Sequence, residues 1–146
     1  MEHDMQIVAC KLEDEEYAID IRAVQEIIRM LEITRVPHAP DFLEGVVNLR
    51  GMVIPVMDLR RHFGLPPRQN TDSTRIIIVN RGETMVGFVV DGVSEVLRLP
   101  RQAIEPPPSL EQKNATYFTG VGKIGSRLLI LLNLDKILGD AVGPEN

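Results

Sequence analysis

One stretch of this chain occurs twice. Residues 45–64, GVVNLRGMVIPVMDLRRHFG, lie over residues 120–139, GVGKIGSRLLILLNLDKILG, without a gap and at an offset of 75. Gly45 meets Gly120, Leu49 meets Ile124, Asp58 meets Asn133 and Gly64 meets Gly139. Earlier pieces match as well: YAID (17–20) lies over FVVD (88–91), and VQEIIR (24–29) over VSEVLR (93–98). Both halves run hairpin, V-x-E-h-h-R (h apolar), proline-containing loop, Gly-Val, second hairpin, capped turn, Gly. A chain of two like halves is expected to fold as two like units. The apolar residues come in short runs bounded by turn residues, which is strand patterning. Each half reads as about five short strands with few helical residues. A small all-β unit hides its edges by closing into a barrel. One barrel of ~60 residues buries limited apolar surface and is marginal alone. The expectation is therefore mainly all-β: two similar five-stranded barrels packed together, with short helical turns, in a single domain over 1–146. Lobe 1 is placed at about 6–65, the linker at 66–75 and lobe 2 at about 76–140.

Local signals add detail. QIVACKL (6–12) and YAIDI (17–21) flank EDEE and read as a hairpin. RAVQEIIRM (22–30) fits either a short helix or a strand. VPHAP (36–40) is a rigid loop. DFLEG (41–45) is expected to begin a helical turn capped by Asp41. DLRRHFGL (58–65) has an Asp cap, a short helical turn and a Gly stop, and the second copy is read the same way up to Gly139. Residues 75–93 read as two strands around the turn 80–83, and 104–116 as a proline-rich segment.

Composition excludes several functions. The net charge is −5 and the pI about 5.2, whereas a nucleic-acid surface needs concentrated positive charge. There is no Trp, and only two Tyr and four Phe, so base-stacking platforms are not expected. No apolar run reaches the ~18–20 residues that cross a bilayer. The acidic N-terminus lacks the layout of a signal peptide. A single cysteine, Cys10, leaves no internal disulfide or cysteine metal site. His3, His38 and His62 are scattered, so no metal is expected. These features together point to the cytoplasm.

The two copies differ where chemistry enters. Asn48, Arg50 and Pro55 stand where the second copy has Lys123, Gly125 and Ile130. Arg50-Gly51 and Gly125-Ser126 both suit a two-residue hairpin turn. Two readings of Arg50 stand side by side, a turn decoration and a binding residue. The second needs a partner, and Glu26 in VQEIIR is the candidate. Surface ion pairs stabilise by only about 0–1 kcal/mol, so such a pair would serve orientation more than stability.

Catalysis finds little support. Asp20 and Asp91 are repeat-related and are the one carboxylate pair that acid–base chemistry would use, but each also simply ends a strand. No nucleophile elbow or phosphate-binding loop occurs. GVGKIGS (120–126) leads into a strand, not a helix N-terminus. No cofactor is expected.

The segments EEYAIDIRAVQEIIR, FLEGVVNLRGMVIPVMDLR, VGFVVDGVSEVL and YFTGVGKIGSRLLILLNLDKIL resemble the bacterial chemotaxis coupling proteins, the CheW-like family. The resemblance runs from about Gln6 to Leu138, and GVVNLRGMVIPVMDLR is its most specific part. It implies two five-stranded SH3-like barrels and a non-catalytic adaptor. Such adaptors bridge the cytoplasmic tips of methyl-accepting chemoreceptors to the regulatory domain of the histidine kinase CheA, in signalling arrays at the membrane. The receptor tip docks in an apolar groove between the barrels. The receptor-facing positions implied are Val24, Glu26, Ile27, Gly45, Asn48, Arg50, Val86 and Val93. The kinase-facing ones are Val53, Ile54, Val56, Asp58 and Leu59. The chain as read ends without a receiver domain, so the expectation is an adaptor of the kind that is not fused to a phosphorylatable receiver. An adaptor of this family serving a pathway other than flagellar motility fits the same residues.

Overall fold

Strands form where β-branched and apolar residues alternate or run between turn residues. The structure is a computed structural model and describes residues 4–39, 43–67, 69–106 and 117–142. Its strands are β1 (Asp4–Leu12), β2 (Glu15–Asp20), β3 (Val24–Arg29), β4 (Leu43–Leu49), β5 (Met52–Asp58), β6 (Arg75–Arg81), β7 (Thr84–Val90), β8 (Gly92–Pro100), β9 (Ile104–Glu105), β10 (Phe118–Ile124) and β11 (Arg127–Leu132). Two helices, α1 (Leu59–His62) and α2 (Leu134–Val142), follow β5 and β11, and the 3-10 turns Ile21–Ala23 and Arg101–Ala103 follow β2 and β8.

The strands divide between two sheets, ordered β8-β1-β2-β11-β10-β9 and β3-β6-β7-β5-β4. Each closes on itself through the same device. In the five-stranded sheet the chain leaving edge strand β3 bridges to the other edge: Thr34 N–H donates to Val46 O at 2.9 Å and Val46 N–H to Thr34 O at 2.8 Å. In the six-stranded sheet, β8 lies at one edge, and after one 3-10 turn its continuation β9 pairs with β10 at the other. Closure removes the exposed edges that would otherwise pair with other chains. The interiors are apolar. Val47, Ile54, Val56, Ile76 and Ile78 fill one unit, and Ile7, Ala9, Ala18, Leu99, Leu129 and Leu131 fill the other.

The compact units are not the sequential halves. One comprises residues 23–93, and the other joins 1–22 to 94–146. Hairpin β1–β2 opens the first repeat, yet it pairs with β8 and, in parallel, with β11 of the second. Hairpin β6–β7 opens the second repeat, yet it pairs with β3 and, in parallel, with β5 of the first. The repeats thus exchange their leading hairpins. The expected lobes, 6–65 and 76–140, describe the repeat in sequence and not the division in space.

Local expectations divide. Asp58 caps α1 as expected, its Oδ1 accepting from Arg60 N–H at 3.0 Å. Asn133 Oδ1 accepts from Lys136 N–H at 3.2 Å at the equivalent place. The ambiguous 22–30 segment resolves into a 3-10 turn and a strand, because Val24–Arg29 pairs with β6. The turn expected over 41–45 is not helical at Leu43–Gly45, which open β4, and Asp41 lies outside the described residues. Gly139 does not stop its helix: α2 runs through it to Val142.

Candidate functional site

Turn chemistry builds the site. Arg50 (φ 50°) and Gly51 (φ 87°) both adopt positive φ, as a two-residue turn between twisted strands requires. Asn48 Oδ1 accepts from Gly51 N–H at 2.9 Å and braces this turn. Asn48, unexplained by sequence, therefore has a structural task. Gly suits the left-handed region, whereas an arginine there costs about 1–2 kcal/mol. The second copy places Gly125 (φ 58°) at the position of Arg50 and avoids that cost. Non-glycine residues in strained conformations gather at functional sites.

From this turn Arg50 reaches Glu26 on β3 with both guanidinium arms, at 2.6 Å and 3.2 Å. Strands β3 and β4 are opposite edges of their sheet, so the pair spans the seam that closes the barrel. The guanidinium hydrogen bonds hold the Glu26 carboxyl below its ordinary range, and the carboxylate raises Arg50 in turn. The side chains stay 69% and 31% exposed, so salt screens the pair and its role in stability is small. Next to the pair in the chain are exposed apolar residues: Ile27 at 37%, which follows Glu26 on β3, and Met52 at 52% and Val53 at 66%, which follow the turn on β5. A bidentate ion pair beside uncovered apolar residues can orient a partner while the apolar residues supply burial.

All thirteen residues singled out from the sequence fall within residues 23–93, but burial divides them. Glu26, Ile27, Asn48, Arg50 and Val53 are reachable, and Val24, Asp58 and Val93 are half-buried. Val86, Ile54, Val56 and Leu59 are buried, and their side chains hold the sheet. Gly45 is buried at a bulge where β4 passes the bridging segment, and a Cβ there would collide with the Thr34 carbonyl. Its repeat mate Gly120 also sits at a bulge, with the Glu105 carbonyl 2.8 Å from a Cβ position. This glycine serves barrel closure.

Three features escaped the sequence reading. Met52 belongs to the exposed surface, signalled only by its place after the turn. Glu95, repeat mate of Glu26, is held by Arg127 at 2.8 Å, and Arg127 also binds Glu16 at 2.9 Å. A glutamate–arginine pair is thus common to both repeats and is not peculiar to Arg50. What sets Arg50 apart is its strained backbone and its exposure. Arg60, 5% exposed, binds Asp91 through two hydrogen bonds of 3.0 Å and 2.9 Å and also donates to the Pro66 carbonyl. Nothing in its sequence context marked it. Asp20 is held by Arg22, at 2.7 Å and 3.1 Å. The two candidate acid–base carboxylates are thus each engaged by a guanidinium, in different units.

The family model of the CheW-like domain matches residues 6–142. The chain belongs to the CheW-like family. It is 45% identical over 128 residues to the chemotaxis protein CheW of Klebsiella aerogenes, covering 87% of this chain and 77% of that protein. It is 36% identical over 137 residues to the CheW of Helicobacter pylori, covering 94% and 83%. The crystal structure of the scaffolding protein TtCheW from Thermoanaerobacter tengcongensis matches with a TM-score of 0.84 at 36% identity, covering 89% of each chain. The paired barrels expected from the repeat, SH3-like as the resemblance implied, are thus the fold of a CheW-like domain. Among the described residues no cluster of metal-ligating side chains occurs and no helix is long and apolar enough to cross a membrane.

Proposed function

We propose that this chain is a chemotaxis coupling adaptor, without chemistry of its own, that links chemoreceptor cytoplasmic tips to the histidine kinase CheA. The observation that carries this reading is on residues 23–93: the Glu26–Arg50 pair on the seam, with Ile27 on β3 and Met52 and Val53 on β5 exposed. A helical partner buries its apolar anchors against such a surface while the ion pair sets its register. We assign the receptor tip to Glu26, Ile27, Asn48 and Arg50, with Val24 and Val93 at the margin. The kinase is assigned to β5, where Val53 near its start is the side chain on offer and Asp58 at its end holds α1. Two modest interfaces used together raise effective concentration and so build an array. The adaptor works in the cytoplasm and reaches the membrane through its partners.

The test is a pull-down with a chemoreceptor cytoplasmic fragment and CheA, using wild type and Arg50→Asn. Asparagine tolerates the left-handed conformation but removes the guanidinium. Receptor capture and receptor control of kinase activity are expected to fall about tenfold, as loss of a charge-assisted contact implies. Undiminished capture and control would remove Arg50 from the interface.

A further inference from the structure

The six-stranded unit carries a cleft that plays no part in the surface described above. It has a volume of about 260 Å³, and Met5, Asp4, Asp20, Arg22, Arg98 and Arg101 lie in its walls. Topology gathers three arginines there. Arg22 lies in the 3-10 turn after β2, Arg101 opens the turn after β8, and Arg98 lies near the end of β8, which runs beside β1. Asp20 is already engaged: it accepts from the Arg22 backbone N–H at 2.9 Å and from its guanidinium at 2.7 Å and 3.1 Å. That clamp holds the Arg22 side chain in place. Arg98 and Arg101 are exposed and hydrogen-bond to no carboxylate among the described residues, although Arg101 lies close enough to help hold the Asp20 carboxyl low. Three guanidiniums thus face two carboxylates, Asp4 and the occupied Asp20, in a chain whose net charge is −5.

We propose that this cleft binds a small oxyanion of two or more negative charges, of the pyrophosphate or tricarboxylate kind. Guanidinium forks match carboxylate and phosphate oxygens in pairs. The volume lies just below the ~300–1,000 Å³ of pockets for drug-sized ligands. Arg98 and Arg101 offer two guanidinium forks beyond the one that Asp20 occupies, and a single carboxylate fills only one of them, so acetate is a poor fit.

Isothermal titration of the full chain with pyrophosphate, citrate and acetate, in ~0.15 M salt to screen long-range charge, tests this. Saturable one-to-one binding of pyrophosphate or citrate is expected, and whichever binds more tightly identifies the phosphate or carboxylate class. Arg98→Gln and Arg101→Gln should each weaken it about tenfold. Arg29→Gln should not, because Arg29 is the exposed repeat mate of Arg98 on β3 and lies outside the cleft. Absence of saturable binding by both polyanions, equal binding of acetate, or equal weakening by Arg29→Gln would overturn the proposal.

Discussion

At the scale of single residues, Arg50 shows how stability and function separate. Its backbone conformation is costly for any residue with a Cβ other than the asparagine type, and its ion pair is exposed to salt. Arg50→Asn should therefore unfold at the same urea concentration as wild type or a higher one, by up to about 1 kcal/mol, while partner binding falls. A variant that lost binding together with stability would make Arg50 a structural residue. Arg60 behaves in the opposite way, because it is buried. Asp91→Ala would strand its charge at a cost of about 3–5 kcal/mol. Arg60→Met should cost less, since Asp91 keeps 18% side-chain exposure and can be rehydrated. Urea midpoints that reversed this order would contradict the assignment of Arg60 as the buried member. Tyr17 supplies a pH dependence. Burial is the main cause of a phenol pKa pushed up from 10.0 to about 12. Its contribution is present below the unfolded value and fades as pH rises toward the folded one. Stability should thus fall by roughly 1–2 kcal/mol between pH 10 and 12. Tyr17→Phe should lose that part of the decline, which denaturation across this range would reveal.

At the scale of elements, the repeat explains which glycines matter. Gly45 and Gly51 are six residues apart and both have positive φ, but only Gly45 faces another backbone across the closing seam. Gly45→Ala must push Thr34 away and is expected to cost about 2 kcal/mol or more. Gly51→Ala meets no atom within 4 Å and bears only the conformational penalty of about 1 kcal/mol. Thermal unfolding of both variants measures the gap, and equal losses would remove the special place given to the seam. The hairpins and the Asp58 cap were legible because they depend on neighbours in the chain: alternation, a turn dipeptide, a side chain reaching two residues ahead. Gly45 was legible as a recurring residue but not as a closure point, because its neighbour, Thr34, is a partner in space. The same limit explains why Ile54, Val56 and Val86 stood among candidate contact residues. A motif marks positions that matter, and only burial separates those that hold a surface from those that form it.

At the scale of the molecule, the repeat was visible but the pairing of its parts was not. Self-similarity reports which strands resemble each other. It does not report which strands bond, since a hairpin that pairs with its own repeat and one that pairs with the other have the same apolar pattern and the same turns. Exchange of the leading hairpins leaves no local trace in the sequence. It does leave a physical consequence. Residues 23–93 contain every strand of the five-stranded sheet, β3 to β7, in one uninterrupted piece. They also contain the Arg60–Asp91 pair and the Thr34–Val46 bridge. Residues 6–65, a full sequence repeat, contain β3, β4 and β5 without β6–β7, and β1–β2 without β11. Strand β3 then has no β6 to pair with, and β5 lacks its parallel partner β7. The fragment 23–93 should accordingly fold, marginally for its size, with β-type circular dichroism and a cooperative urea transition. The fragment 6–65 should show neither. Because Glu26, Ile27, Asn48 and Arg50 lie on the folding fragment, 23–93 should also retain measurable capture of the chemoreceptor fragment and lose it on Arg50→Asn. Cooperative unfolding of 6–65 with none for 23–93 would mean that each repeat keeps its own hairpin, and the exchange would be wrong.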